Sequence, residues 1–367
     1  MSGYWLRYWL AVALVAGVGV RCNVAPAPVV IGLTSAPGVA RLAEAALAAS
    51  RGRGDPAIAV RMRVEGTLPR AVGVAQGFAA DDAVIGVVGP SGSGDALLTA
   101  PIYAQAGIPQ VLPTANAPEL DDVGAWTFML APSIQSEADF IVDLVRPQTA
   151  AGPVLVFFVA DPYGRAMGQA IATALQDAGH EVVDRTPVPD RMPCERGPNE
   201  AGLAAQVRAA LARRRFDAVI VAARDAEAGC VISTMRAEGH AVPVILTDGA
   251  PLALTLEQVT GDPGVVIAVT FWDAGQSERS RAFAAAFRQA TGTPPNVAHA
   301  LSYDAVMLLG TAVQEAGPDR AAIRRWLERL GRDREPYQGI TGPISFPISA
   351  ENRLHVESTI SGRSAHP

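Results

Sequence analysis

Lysine is missing from this chain: all 30 basic residues are arginine, set against 36 acidic residues, for a formal net charge of −6. No continuous basic block exists, which argues against a nucleic-acid surface, because neutralising phosphates takes clustered cations. Arg213, Arg214 and Arg215 form the one tight cluster, and it reads as a solvated helix end. Cysteine is scarce, with three in all, and neither Cys194 nor Cys230 has a CxxC partner. The five histidines lie far apart in sequence, so nothing resembles a zinc site. Charged residues make up only 18% of the chain while 49% is hydrophobic; spread over 367 residues, that is ample apolar material for two cores.

Long apolar runs are confined to the start. MSGYWLRYWLAVALVAGVGVRC has Arg7 near its beginning, an apolar stretch from Tyr8 to Val20, and then small and polar residues. That is the layout of a secretory leader, here residues 1–27. The stretch is shorter than the ~20 residues of a comfortable bilayer span, which makes a permanent transmembrane helix the second choice. The expectation is an exported protein, periplasmic or on the cell surface. Cys22 stands where a bacterial lipoprotein carries its lipidated cysteine, yet Arg21 departs from the small residue such processing wants, so an anchored and a free mature chain both stay open. In an oxidising compartment Cys194 and Cys230 can pair; two separate thiols, with Cys230 on the apolar face of a helix, are the equal alternative.

The rest of the chain alternates. VVIGL (29–33), AIAVRMRV (57–64), AVIGVVG (83–89), PVLVFFVA (153–160), DAVIVAA (217–223), VPVILT (242–247) and VVIAVT (265–270) are short β-branched apolar runs, the pattern of buried parallel strands. Helical patterns such as RAMGQAIATALQDAGH lie between them, the latter closing at Gly179. The sum is a doubly wound α/β fold. Near the end, GITGPISF and RLHVESTIS read as two strands of a hairpin-like piece joined by PISAEN.

The loop in VVGPSGSGDA (87–96) tests several chemistries. A P-loop needs GxxxxGK[ST], but Asp95 and Ala96 follow Gly94. The glycines do not fall at the GxGxxG spacing, and Ser91 and Ser93 miss the GxSxG elbow. What remains is Ser93 near a helix N-terminus, where free N–H groups favour an anion, or Ser93 as a plain cap for a helix starting at residue 94.

GPSGSGDALLTAPIYAQAGIPQVLPTANAPEL, DPYGRAMGQAIATALQDAGHEVV, LSYDAVMLLGTAVQEAG and YQGITGPISF stand in an order that resembles the Leu/Ile/Val-binding, type I periplasmic class of ABC transporter solute-binding proteins, from about Val29 to Gly362. The resemblance implies two doubly wound lobes joined by crossing hinge segments: 28–147 with 273–333, and 148–272 with 334–362. It implies a small-molecule ligand, an amino acid, amide or dicarboxylate, delivered to an ABC permease, with no cofactor and no metal. It also implies binding residues. Ser93, Thr114 and Asn116 would hold a ligand carboxylate, Asp248 would pair with its amino group, and Tyr163 matches the tyrosine that follows the first strand of the second lobe. Arg224 would read a second acid group, pair with Asp248, or face water as a helix N-terminal charge. Departures are Asn116 for the usual Thr, Met129 for an Arg in FMLAPSIQ, Arg224 and Asp225 where an aromatic is common, and GTLPRA (66–71) in place of a GGI-type loop.

An exported substrate-binding protein of an importer is therefore the leading expectation. A ligand-sensing receptor of the same fold, answering to amides or amino acids without a transport role, is the alternative. The chain offers no nucleophile, base or metal arrangement that would make an enzyme.

Overall fold

The computed structural model describes residues 28–63, 68–149, 152–190, 194, 202–212, 215–259, 264–346, 355–360 and 363–365. The leader with Cys22, Arg213 and Arg214, and the PISAEN segment lie outside the described residues.

The first half builds a five-stranded sheet from β1 (Val29–Leu33), β2 (Ile58–Met62), β3 (Val84–Val88), β4 (Gln110–Leu112) and β5 (Thr127–Met129), in the order β2-β1-β3-β4-β5 and parallel throughout. Helices α1 (Val39–Ser50), α2 (Leu68–Ala79) and α3 (Ser93–Gln105) connect the first four strands. The central strands turn residues to both sides of the sheet. Ile31, Leu33, Ile85 and Val88 join one core with Val39 and Leu47, whereas Val30, Val84 and Val87 pack against Phe78 and Tyr103. Both faces are covered, which is why these strands read as unbroken apolar runs.

The second sheet follows α4 (Ile134–Thr149). It comprises β6 (Val154–Val159), β7 (Val182–Val188), β8 (Ala218–Ala222), β9 (Val244–Leu246) and β10 (Val266–Thr270), with α5 (Pro162–Asp177), α6 (Leu203–Leu211), α7 (Asp225–Ala237) and α8 (Leu252–Glu257) between strands. Its core is parallel, in the order β10-β9-β8-β6-β7. The chain then returns through α9 (Glu278–Thr291), α10 (Val297–Ala316) and α11 (Arg320–Glu328). α10 packs on α1, β1, β3 and β4, and α11 packs on α10. The Arg320 guanidinium donates to the carbonyls of Asp81, Val84 and Ala106, pinning this return segment to the first sheet.

The terminal strands differ from the sequence reading. β11 (Tyr337–Gly339) and β12 (Gly342–Ile344), both inside the YQGITGPISF stretch, pair with each other, while β13 (His355–Ile360) joins the second sheet antiparallel to β10 and is followed by β14 (Arg363–Ala365). Two hydrophobic runs expected to pair together thus go to different sheets. Gly342 at φ 103° allows the tight turn that closes the first hairpin on itself.

The expected break at 147/148 falls inside α4, which packs on α5, β8 and β9. The β11–β12 hairpin, expected with the second lobe, packs on α10, and Arg279 and Ser280 of α9 donate to its Gln338 and Ile340 carbonyls. The cysteine alternatives resolve as well: Cys194 and Cys230 form a disulfide, with Cα atoms 5.6 Å apart. Among the described residues no helix is long and apolar enough to cross a membrane.

Candidate functional site

Parallel strands end where the following helices begin, so loops and helix N-termini gather at one edge of each sheet. A cavity of about 250 Å³ lies between the two edges. Ser91, Gly92, Ser93 and Thr114, after β3 and β4, line one wall, together with Asn296 to Ala298 at the start of α10. Tyr163, Arg224, Asp225, Asp248, Gly249, Pro251 and Leu254, after β6, β8 and β9, line the other.

On the first wall, Gly89 turns the chain out of β3 at φ 100°, and a Cβ there would sit 2.3 Å from Thr34 Oγ1, so no other residue fits. Gly92 is the N-cap of α3 and supplies no side chain to it. Ser93 is therefore not a cap, against one of the two readings of the loop. It is the first helical residue, buried, and its Oγ accepts the N–H of Ala117 at 3.2 Å. A hydroxyl has one hydrogen beside its lone pairs, so Ser93 keeps a donor. Thr114 donates to the Ser91 carbonyl at 2.9 Å, which fixes the loop. The first turn of α3 takes no side-chain cap and carries Asp95; its N–H groups, beside that donor, are the part of this wall that can meet an anion.

The second wall is acidic. The DPYG stretch sets it up: Asp161 is the N-cap of α5 and accepts the Gly164 N–H at 2.8 Å, Pro162 takes the first helical position, and Tyr163 is turned to the sheet edge. The Tyr163 hydroxyl lies 2.6 Å from Asp248 Oδ1 and 2.8 Å from Thr247 Oγ1; its single hydrogen goes to the carboxylate. A Cβ at Gly249 would meet the Ala223 carbonyl at 2.8 Å, so glycine lets this loop close against Tyr163 and β8. Burial pushes the Asp248 carboxyl up to about 6 even though the Tyr163 hydroxyl favours its charged form. Burial and the neighbouring carboxylate raise the Tyr163 phenol well above its ordinary value, so it stays a donor.

Behind Asp248 stands Glu137 of α4, fully buried, whose Oε1 accepts the Asp248 backbone N–H at 2.8 Å. Burial first, and the adjacent Asp248 second, drive the Glu137 carboxyl well above the usual range. The Arg224 guanidinium lines the cavity and is ion-paired to Asp161 at 2.6 Å and also to Asp190, not to Asp248.

Five of the six expected residues therefore converge: Ser93, Thr114, Tyr163, Arg224 and Asp248. Asn116 does not line this cavity. Its amide donates to the Pro132 carbonyl at 3.0 Å, tying the loop after β4 to the segment between β5 and α4, and it borders a separate cavity of about 990 Å³. Sequence reasoning missed Glu137, since a glutamate in the first turn of a helix reads as an ordinary dipole partner. It also missed Asn296 to Ala298. The usable signal was there, because Asn296 caps α10 with a His299 capping box, and that N-terminus faces the cavity.

The Periplasmic binding protein family matches residues 63–355, and the chain belongs to that family. It is a family of solute-binding proteins and not of enzymes. Among curated proteins, Leu/Ile/Val-binding protein homolog 1 of Brucella abortus (strain 2308) is 24% identical over 286 residues, covering 77% of this chain and 73% of that protein. Among solved structures, the substrate-binding protein LivJ from Streptococcus pneumoniae, in complex with isoleucine, superposes with a TM-score of 0.75 at 20% identity, covering 91% of this chain and 96% of that one. A Desulfitobacterium hafniense ABC transporter substrate-binding protein in complex with Leu gives 0.74 at 22% identity, with 92% and 99% covered. A solute binding protein of Rhodopseudomonas palustris BisB5, in complex with 3,4-dihydroxy benzoic acid, gives 0.71 at 17%, with 91% and 95% covered. The architecture is thus that of the type I periplasmic binding proteins.

Proposed function

We propose that this chain is the exported substrate-binding protein of an ABC importer and binds a small amino-acid-like zwitterion between two lobes. Lobe one is residues 28–130 with 278–346, and lobe two is 134–270 with 355–365, redrawn from the packing of α4 and of the β11–β12 hairpin. The observation that carries the reading is the polarity of the cavity. A helix N-terminus with a serine donor faces a buried Tyr163–Asp248 pair, so a ligand with a carboxylate at one end and an ammonium at the other satisfies both walls at once.

The bound molecules of the three structural relatives share a carboxyl group, and leucine and isoleucine add an ammonium. A site built only for an aromatic acid has no use for a buried carboxylate opposite. The cavity's 250 Å³ lies below the ~300 Å³ at which pockets for drug-sized ligands begin, which favours a small solute. The Cys194–Cys230 disulfide suits the oxidising compartment to which the leader would deliver the chain.

A thermal-shift screen with amino acids, dicarboxylates, amides and aromatic acids tests this. A ligand at 100 times its Kd should stabilise the protein by ~2.7 kcal/mol. Stabilisation by amino acids is expected; stabilisation by aromatic acids or dicarboxylates alone would overturn the zwitterion. Stimulation of a reconstituted permease by the liganded protein separates an importer from a sensing receptor, which would give none.

A further inference from the structure

The acid behind the site is the least expected group in the molecule. Glu137 is 0% exposed, one of its oxygens accepts the Asp248 N–H, and the other is buried with no hydrogen-bond donor reaching it among the described residues. A carboxylate so placed would leave a charge without solvation or a partner cation. Among the described residues, the elements packed on α4 bring no cation that bonds to Glu137: α5 brings Tyr163, and its Arg165 is exposed and donates to the Ala160 carbonyl; the end of β9 brings Asp248; and Arg224, past β8, is held by Asp161 and Asp190. Asp248 already has a donor in Tyr163. Two carboxyls side by side, one of them wholly buried, share a proton more cheaply than they carry two charges.

We propose that Glu137 is a positioning residue that keeps its proton at neutral pH and donates it to Asp248, so that the pair presents one negative charge, fixed in place, to a ligand ammonium. This rests on the reading that Asp248 receives an ammonium. Glu137 touches no ligand itself: it lines no part of the cavity wall and acts through the Asp248 backbone N–H and carboxylate. Specificity follows, because a site of charge −1 matches a single ammonium, whereas two ionised carboxyls would favour a dication.

The assignment is directly readable. Infrared difference spectra of the ligand-free protein, wild type minus Glu137→Gln, should show a carboxylic-acid carbonyl band at pH 7; a carboxylate band in its place would overturn the proposal. Binding is then measured by calorimetry with L-leucine as the probe. Glutamine keeps an oxygen for the Asp248 N–H and offers an N–H to its carboxylate, so Glu137→Gln should hold the Kd within about threefold, while Glu137→Ala should weaken it about tenfold, the loss of one hydrogen bond to a charged group. Equal weakening in both variants would overturn the donor role. If the alanine variant fails to fold, the infrared band and the glutamine variant still decide. If leucine does not bind the wild type, the ammonium reading of the site is in trouble, and the band alone judges the proton on Glu137.

Discussion

Thr341 gives both its backbone N–H and its hydroxyl hydrogen to one oxygen of Asp304, at 2.8 and 2.6 Å, while the other oxygen accepts the Ile340 N–H at 2.8 Å. The YDA helix and the YQGITG stretch, far apart in sequence, are two halves of one structural lock, and neither Asp304 nor Thr341 lines the ligand cavity. Asp304→Ala would leave three buried donors unmet. A loss of roughly 3–5 kcal/mol of stability is expected, with ligand affinity unchanged once folded. Urea denaturation and calorimetry on the same variant check both halves.

The parallel strands were legible in the sequence because burial on both faces writes β-branched runs such as VLVFFV and AVIVA directly into it. β4 and β5 were not, since QVL and TFM stand in no longer β-branched apolar run of the kind that VPVILT gives β9, and β7 was hidden by the Asp184, Arg185 and Pro187 that an edge strand tolerates. The terminal strands misled because pairing partners are a tertiary choice: GITGPISF and RLHVESTIS both look like strands, but Asp304 holds one and β10 takes the other. Of the site, Ser93, Thr114, Tyr163, Arg224 and Asp248 were reached through the family resemblance, whereas Glu137 sits on a helix and enters only through packing.

Removing the two ends of the proposed zwitterion clamp should have different side effects. Asp248→Ala should weaken amino-acid binding by ~1.5–3 kcal/mol, the worth of a charge-assisted bond. Ser93→Ala removes a ligand donor and also strands the buried Ala117 N–H, so it should lower stability by about 1–3 kcal/mol as well as affinity. Thermal denaturation of both apo variants distinguishes them: a Ser93→Ala protein as stable as the wild type would mean that the Ala117 contact carries nothing.

The site should respond to pH near 6. The Asp248 carboxyl is raised by burial from 3.8 to about 6, so the folded apo protein binds a proton that the unfolded chain has released, and this group's contribution to stability falls as pH rises between those values. Binding runs the other way. An ammonium needs the ionised form, so affinity should climb as pH rises through about 6 and level off above it. Calorimetry from pH 5 to 8 should show this profile, and Asp248→Asn should flatten it; an equally steep profile in Asp248→Asn would place the titration elsewhere.

The disulfide joins residues 36 apart in sequence and ties Cys194 to the buried Cys230 on α7, the helix whose N-cap is Arg224 and which packs on β8. Its effect should fall on the unfolded chain, whose freedom it restricts, and for a loop of this size amounts to about 3–4 kcal/mol. The ligand walls do not depend on it in the same way: Asp248 and Tyr163 are placed by β9 and α5, and Arg224 by Asp161 and Asp190. The double variant Cys194→Ser, Cys230→Ser should therefore unfold at lower denaturant, with a smaller effect when wild type and variant are compared in reductant, while its ligand Kd stays within about twofold of wild type, well under the tenfold that 1.4 kcal/mol represents. Loss of affinity without loss of stability would reverse the argument and make the bond a brace for Arg224 and its two aspartates.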